Sequence, residues 1–506
     1  MIISGLLEQR AQEFGDRTFI QCEDETYSYA QVQRDAGRVA ANLAARGVGK
    51  GDKIVLLMGN CLEFLYVFLG AGSIGAVTVP VNPMLKPDEI AFIVNDSDAQ
   101  TLITIPEFAP LLPQVRSVLP AIQHVFVLGE ATEDAESFLA LLASPPNVLR
   151  NPAEPGDDAA LIYTSGTTGM PKGVVLTHRN YIWNARMMVR AIDMTAADRF
   201  FCILPLFHVN AQVITILSPL LAGGDVVLMK KFAPFSILPM IEKYRATILS
   251  AVPTIYNVIS RMPRAETYDV SSIRFFVSGG APLSEDTFNE VTRVLKRPFI
   301  SGYGLSEATC GSAAGDYRDP VKWSSVGAPL RYTGVRIVGD DGADVPYGDV
   351  GEILISGPAV MKGYYKNPEA TREALRGGWL YTGDLGRFDE DGYLYIVGRK
   401  KDMIIRGGQN IYPQQIENVL AHLPEVEECC VVGIEEARWG QEVLAVVKLV
   451  EGKTATEEAI VAYCREHLAS YKCPKYVRFV ESLPKTATGK IRKPVVAAQF
   501  AHITVT

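Results

Sequence analysis

The segment YTSGTTGMPKGVV, Tyr163 to Val175, restricts the fold more than any other in the chain. Four side-chain hydroxyls, on Thr164, Ser165, Thr167 and Thr168, and three glycines, Gly166, Gly169 and Gly173, fall within eleven positions, together with Lys172 and ahead of an apolar β-branched run. Glycines let backbone N–H groups turn inward as an anion nest, the hydroxyls add donors, and Lys172 adds a mobile positive charge, so such a loop can wrap polyphosphate. The G-x-x-x-x-G-K-[ST] register is absent. The β-branched residues after Gly173 predict strand, loop, strand, where that nucleotide-hydrolase loop requires a helix. A polar surface turn is the competing reading.

The surroundings of this loop read as α/β. Apolar residues recur at helical spacing from Tyr29 to Arg46, GVGKGDK turns the chain, and Ile54 to Met58 forms an apolar strand run. Gln100 to Thr104, His124 to Leu128 and Asp225 to Met229 repeat the alternation, which implies largely buried sheets. Phe64 to Val81 is uncharged, but its glycines and Pro80 favour a buried helix followed by a strand over a transmembrane segment. After about Arg399 the chain becomes a basic, glycine-containing connector. Shorter strands, Cys429 to Ile434 and Val443 to Val450, then accompany a helix over Glu457 to Ala469. At 506 residues the chain exceeds one core. The expectation is a large body over 1–398 built of stacked α/β subdomains, and a small mobile α+β domain over 399–506, joined by a short hinge.

A net charge of −8 with no clustered basic face speaks against nucleic acid and leaves small molecules as the expected partners. Eight scattered cysteines without C-x-x-C spacing indicate neither zinc nor a redox motif and fit a reducing compartment. The N-terminus mixes charges before any signal-like apolar core develops, so the cytoplasm is the expected location. A homodimer is compatible with the sequence.

Three further clusters carry chemistry. In GYGLSEAT, Gly302 to Thr309, Tyr303 offers a flat face for a base and Glu307 a hard oxygen ligand for Mg2+, although a structural turn would show the same residues. Farther on, YTGDLG places Asp384 on a tight glycine turn, able to accept two ribose hydroxyls. Arg399, Lys400 and Lys401 follow a strand and could equally be a solvated face. Near the end, PKTATGKIRK offers a loop lysine able to move.

In this order and spacing the four motifs resemble the adenylate-forming superfamily over almost the whole chain, most closely its bacterial medium- and long-chain fatty acyl-CoA synthetases, with aryl-acid ligases close behind. The resemblance implies that Thr164 to Gly173 holds ATP phosphates. It places Gly279, Gly280, Ala281 and Pro282 along the adenine and acyl group, with Tyr303 between Gly302 and Gly304 as the adenine platform. Ser306 becomes an α-phosphate contact and Glu307 the Mg2+ carboxylate. Asp384 and Arg399 become ribose and phosphate contacts, and His208 a ring beside the entering carboxylate. Val209, Gln212, Val213, Thr254 and Ala308 join Gly279 as acyl-pocket candidates; long-chain relatives can carry tryptophan at the position of Gln212.

By the same resemblance, Lys490 bridges the carboxylate and α-phosphate, Lys401 is the hinge, and Gly407, Gly408 and Asn410 line a coenzyme A channel. The implied activity is an AMP-forming acyl-CoA synthetase using ATP, Mg2+ and coenzyme A, with a medium- or long-chain fatty acid as substrate and a place in lipid metabolism. An aryl-acid ligase and an enzyme loading a carrier protein are the alternatives. The apolar wall candidates carry no basic side chain to meet a second carboxylate, which disfavours dicarboxylates.

Overall fold

The computed structural model describes residues 1–112, 118–144, 152–164, 170–231, 233–281, 283–319, 322–436, 439–485 and 491–501. Two sheets make the layers of the body. One runs in the order Ala328–Pro329, Cys310–Ala314, Phe299–Leu305, Phe275–Ser278, Ile248–Ala251, Arg199–Cys202, Asp225–Leu228, Thr18–Cys22, Glu25–Ser28. From Phe299–Leu305 to Thr18–Cys22 all neighbours are parallel. In the other sheet, Val77–Val81, Lys53–Leu57, Thr101–Thr104 and His124–Val127 are parallel, and Asp158–Thr164 joins them in the same sense. Toward its far edge Lys172–Thr177 pairs antiparallel with Asp158–Thr164, so the two strands expected on either side of the glycine-rich segment are present.

Parallel strands covered on both faces must be apolar on both, which explains the uninterrupted runs at Ile54–Leu57 and Val226–Leu228. Helices Tyr29–Ala44, Leu62–Gly70 and His178–Ala191 share one apolar core with residues of both sheets. The first begins at a capping box in which Ser28 and Gln31 exchange hydrogen bonds. Leu62–Gly70 leads to the strand Val77–Val81, both buried, and no helix among the described residues is long and apolar enough to cross a membrane.

A third, antiparallel sheet follows in the order Gly334–Val338, Gly351–Ser356, Trp379–Phe388, Leu375–Arg376, with Leu394–Arg399 also paired to Trp379–Phe388. The tail has its own sheet. Its strands Val426–Glu436 and Gly440–Leu449 are longer than the apolar runs suggested, because the charged ends pair as well as the centre, down to Glu436 with Gly440. Helices Pro413–Leu420 and Glu457–His467 pack on this sheet around Ile416, Val431, Val443 and Cys464.

Candidate functional site

Open parallel sheets bind ligands beyond the carboxyl ends of their strands, and there the fold gathers most of the expected residues. Arg199–Cys202 leads to His208, Ile248–Ala251 to Thr254, and Phe275–Ser278 to Gly279, Gly280 and Ala281. Phe299–Leu305 carries Gly302, Tyr303 and Gly304, and the 3-10 turn Ser306–Ala308 places Ser306 and Glu307 directly after it. A Cβ on Gly279 would lie 3.6 Å from the Gly302 carbonyl, so these strand ends are in contact. Gly304 has a steric reason: a Cβ there would fall 1.4 Å from the Cys310 carbonyl oxygen of the antiparallel neighbour. Thr164 and Lys172 face each other across the hairpin. Ser165, Gly166, Thr167, Thr168, Gly169, Pro282 and Lys490 lie outside the described residues.

Tyr303 and Asp384 come from different sheets and meet. The tyrosine hydroxyl donates to Asp384 Oδ2 at 2.7 Å, and Arg399 Nε lies 2.9 Å from Oδ1. Asp384 is 5 % exposed. Burial, and after it the Asp384 charge, push the Tyr303 hydroxyl well above its ordinary range, while Asp384 raises the Arg399 guanidinium. The expected glycine turn at Asp384 is a strand: the residue lies inside Trp379–Phe388, directly opposite Arg399. Gly383, at φ 69°, supplies a local kink before it, so the glycine bends the strand without ending it. The Asp384 N–H donates to Thr382 Oγ1 at 3.0 Å, and the Gly383 N–H to Glu352 Oε1 at 3.2 Å.

Glu307 accepts a 2.9 Å hydrogen bond at Oε1 from the Tyr364 hydroxyl, and Lys172 Nζ stands 5.4 Å from the centre of the same tyrosine ring. Burial, then the Glu307 charge, raises the Tyr364 hydroxyl above its usual range. Among the described residues no group of three or more His, Cys, Asp or Glu side chains is arranged for a metal. A single carboxylate with one oxygen engaged fits Mg2+ shared with nucleotide phosphates and water, and does not fit an all-protein cage.

His208 is half-buried, with its ring 4.7 Å from that of Phe207. Its loop is tied down by Asn60, which accepts from the Leu206 N–H at 2.7 Å and donates to the Leu204 and Met229 carbonyls, each at 3.1 Å. Val209, Val213 and Ala308 are buried and Thr254 is exposed. Gln212 is fully buried in the π-helical turn Ala211–Leu217; its amide accepts from the Tyr181 hydroxyl at 2.6 Å and donates to the Leu206 carbonyl at 2.7 Å. Lys401, Gly407, Gly408 and Asn410 are exposed, and the Gly407 N–H donates to the Trp439 carbonyl of the tail at 2.8 Å. Lys485 and Ile491 are joined by an antiparallel bridge.

Tyr364, Asn60, Thr382 and Glu352 escape the sequence reading. Each works through a partner distant in sequence or through a backbone group, and the one local signal was the aromatic pair Tyr364–Tyr365 after a glycine.

Residues 7–365 match the AMP-binding enzyme family and residues 415–490 the AMP-binding enzyme C-terminal domain. The chain is 39% identical over 495 residues to a feruloyl-CoA synthase of an Amycolatopsis species, covering 97% of this chain and 98% of that one. It is 37% identical over 480 residues to a long-chain-fatty-acid–CoA ligase of Mycobacterium tuberculosis, covering 94% of each. The crystal structure of the anthranilate CoA ligase AuaEII in complex with anthranoyl-AMP superposes with a TM-score of 0.91 at 29% identity, over 99% of this chain and 97% of that one. The chain belongs to the adenylate-forming superfamily, in the acyl-CoA synthetase family of AMP-binding enzymes, and is an acid:thiol ligase.

Proposed function

We propose that the chain joins a carboxylic acid with a single carboxylate and an apolar body to coenzyme A through an acyl-adenylate. The observation that carries this reading is the Tyr303–Asp384–Arg399 cluster beside the turn bearing Glu307, at the carboxyl ends of the parallel strands. In the first step a carboxylate oxygen attacks the α-phosphorus of ATP. The new C–O–P bond forms as the bond to the β-phosphate oxygen breaks, and pyrophosphate leaves with the electron pair. Both reactants are anions, so the site must concentrate positive charge and donors where the phosphorus becomes crowded. Lys172 and Lys490 supply ammonium groups, and Asp384 holds the ribose. Bound at Glu307, Mg2+ would neutralise phosphate charge.

In the second step the thiol sulfur, having given up its proton, attacks the acyl carbon, and the C–O bond to AMP breaks. A mixed anhydride is open to water, which argues for changing the tail between steps. Rotation about Lys401 would withdraw Lys490 and bring Gly407, Gly408 and Asn410 to the thiol path.

Fatty and aryl acids both suit an apolar wall around Val209 and Val213. Similarity to a feruloyl-CoA synthase and to a long-chain-fatty-acid–CoA ligase supports testing the two side by side. Pyrophosphate release with Mg-ATP, coenzyme A and a panel of fatty, aryl and dicarboxylic acids is the test. Turnover is expected with monocarboxylic acids of one of the first two kinds; a preference for dicarboxylates, or thioester formation only on a carrier protein, would overturn the reading.

A further inference from the structure

Tyr364 holds a position that no motif predicted. The short strand Gly363–Tyr364 pairs antiparallel with Lys172–Thr177, Tyr364 opposite Val174. Its backbone is fixed on both sides: the Tyr364 N–H donates to Thr371 Oγ1 at 2.9 Å and the next N–H, of Tyr365, to the Gly173 carbonyl at 2.7 Å. The same segment grips the turn bearing Glu307 twice, since the Met361 N–H donates to the Glu307 carbonyl at 2.8 Å and the Tyr364 hydroxyl to Oε1 at 2.9 Å. On the ring itself sits the ammonium of Lys172, 5.4 Å from the centroid.

A glutamate on a three-residue turn has two side-chain torsions free to carry its carboxylate elsewhere, and a nearby lysine is the partner it would otherwise take. One hydrogen bond to Oε1 selects a rotamer and leaves Oε2 for another ligand. A ring that takes the ammonium on its π-face gives the cation a partner other than a carboxylate. We propose that Tyr364 is a positioning residue for the adenylation step: it presents Glu307 to a nucleotide-bound divalent cation and keeps Lys172 from neutralising that carboxylate. This rests on the reading that Glu307 faces the metal.

The test is calorimetric binding of ATP to the full chain without acid, once with Mg2+ and once with a chelator. Tyr364→Phe keeps the ring and removes the hydroxyl. It is expected to weaken Mg-ATP binding by about ten-fold, the scale of one hydrogen bond to a charged group, while metal-free ATP binding stays within about two-fold. Tyr365→Phe is the control: it removes a hydroxyl that donates to Asp98 at 2.9 Å, a carboxylate outside the site, and should change neither. Glu307→Gln distinguishes a failure of Tyr364 from a failure of the metal contact at Glu307. If it removes the advantage of Mg2+ and Tyr364→Phe does not, or if Tyr364→Phe weakens both forms equally, the role given to Tyr364 is wrong. If Glu307→Gln itself leaves the Mg2+ dependence intact, the metal reading of Glu307 fails and this inference falls with it.

Discussion

The body and the tail hold their candidate groups in opposite ways. In the body, Asp384 is buried with Tyr303 on one oxygen and Arg399 at the other, and Glu307 is gripped at main chain and side chain by the segment Met361–Tyr364. In the tail, Gly407, Gly408 and Asn410 are exposed, and the Gly407 hydrogen bond to Trp439 stays within the tail. Groups already oriented need no reorganisation as charge develops, whereas groups anchored only to their own unit can be carried by it. The two half-reactions of the proposed cycle should therefore respond separately to substitution, with the body serving both and the tail dividing them.

Removing the tail's ammonium should break the cycle at that division. Lys490→Ala should slow acid-dependent ATP–pyrophosphate exchange by about 10²- to 10³-fold, the scale of losing one preorganised charge contact. Thioester formation from preformed acyl-AMP should stay within about two-fold, because the lysine has left the site by then in the proposed scheme. Rapid-quench measurement of each step decides the matter. Equal loss in both would mean that the tail does not divide the labour.

A second prediction concerns the body alone. His178 begins the helix His178–Ala191, is 2 % exposed, and accepts at Nδ1 from the Ile3 N–H at 3.4 Å. Burial pushes its imidazole down to about 4, against an ordinary value of 6.5. The unfolded chain therefore takes up a proton below about pH 6.5 that the folded chain refuses until about pH 4. The sign follows: this contribution is complete above pH 6.5 and is lost as pH falls, by about 1.4 kcal/mol for each unit inside that window, roughly ten-fold in the folding equilibrium. Denaturation of the wild type and of His178→Asn at about pH 7 and about pH 5.5, on either side of the ordinary histidine value, tests it. The wild type should lose stability more steeply than the variant, and parallel curves would show that His178 does not titrate with folding.

What the sequence revealed and what it hid have one physical cause. The two strands on either side of the glycine-rich segment between Tyr163 and Val175 were legible because their residues are apolar and β-branched. The helix Tyr29–Ala44 was legible because its apolar spacing is local. Asp384 was misplaced on a turn because a glycine before it looks the same whether it ends a strand or kinks one; only the opposing strand Leu394–Arg399 tells them apart. Tyr364 and Asn60 act on Glu307 and Leu206, 57 and 146 residues away, and such hydrogen bonds leave no periodic trace. The third sheet was missed because its strands are separated by glycine- and aspartate-rich turns that obscure the alternation.

The smallest effect lies at the seam between the two units. Lys400 Nζ stands 3.2 Å from both Asp340 Oδ1 and Glu352 Oε2 of the body, one residue before the proposed hinge at Lys401. Glu352 also accepts from the Gly383 N–H beside Asp384, so the contact links the connector to the strand that holds the buried carboxylate. The Glu352 side chain is 11% exposed, but Lys400 is 45% and Asp340 92% exposed, and ion pairs open to water on the lysine side are worth about 0.2 to 1 kcal/mol, enough to tilt two tail positions by only a few-fold. Lys400→Gln should therefore change the ratio of the two half-reaction rates by about two- to five-fold and leave the melting temperature nearly unchanged. Raising the salt concentration screens the pair in the wild type, so the two proteins should converge as ionic strength rises. A difference that persists at high salt would assign the effect to packing at the connector, and no difference at any salt would mean that the seam does not bias the tail.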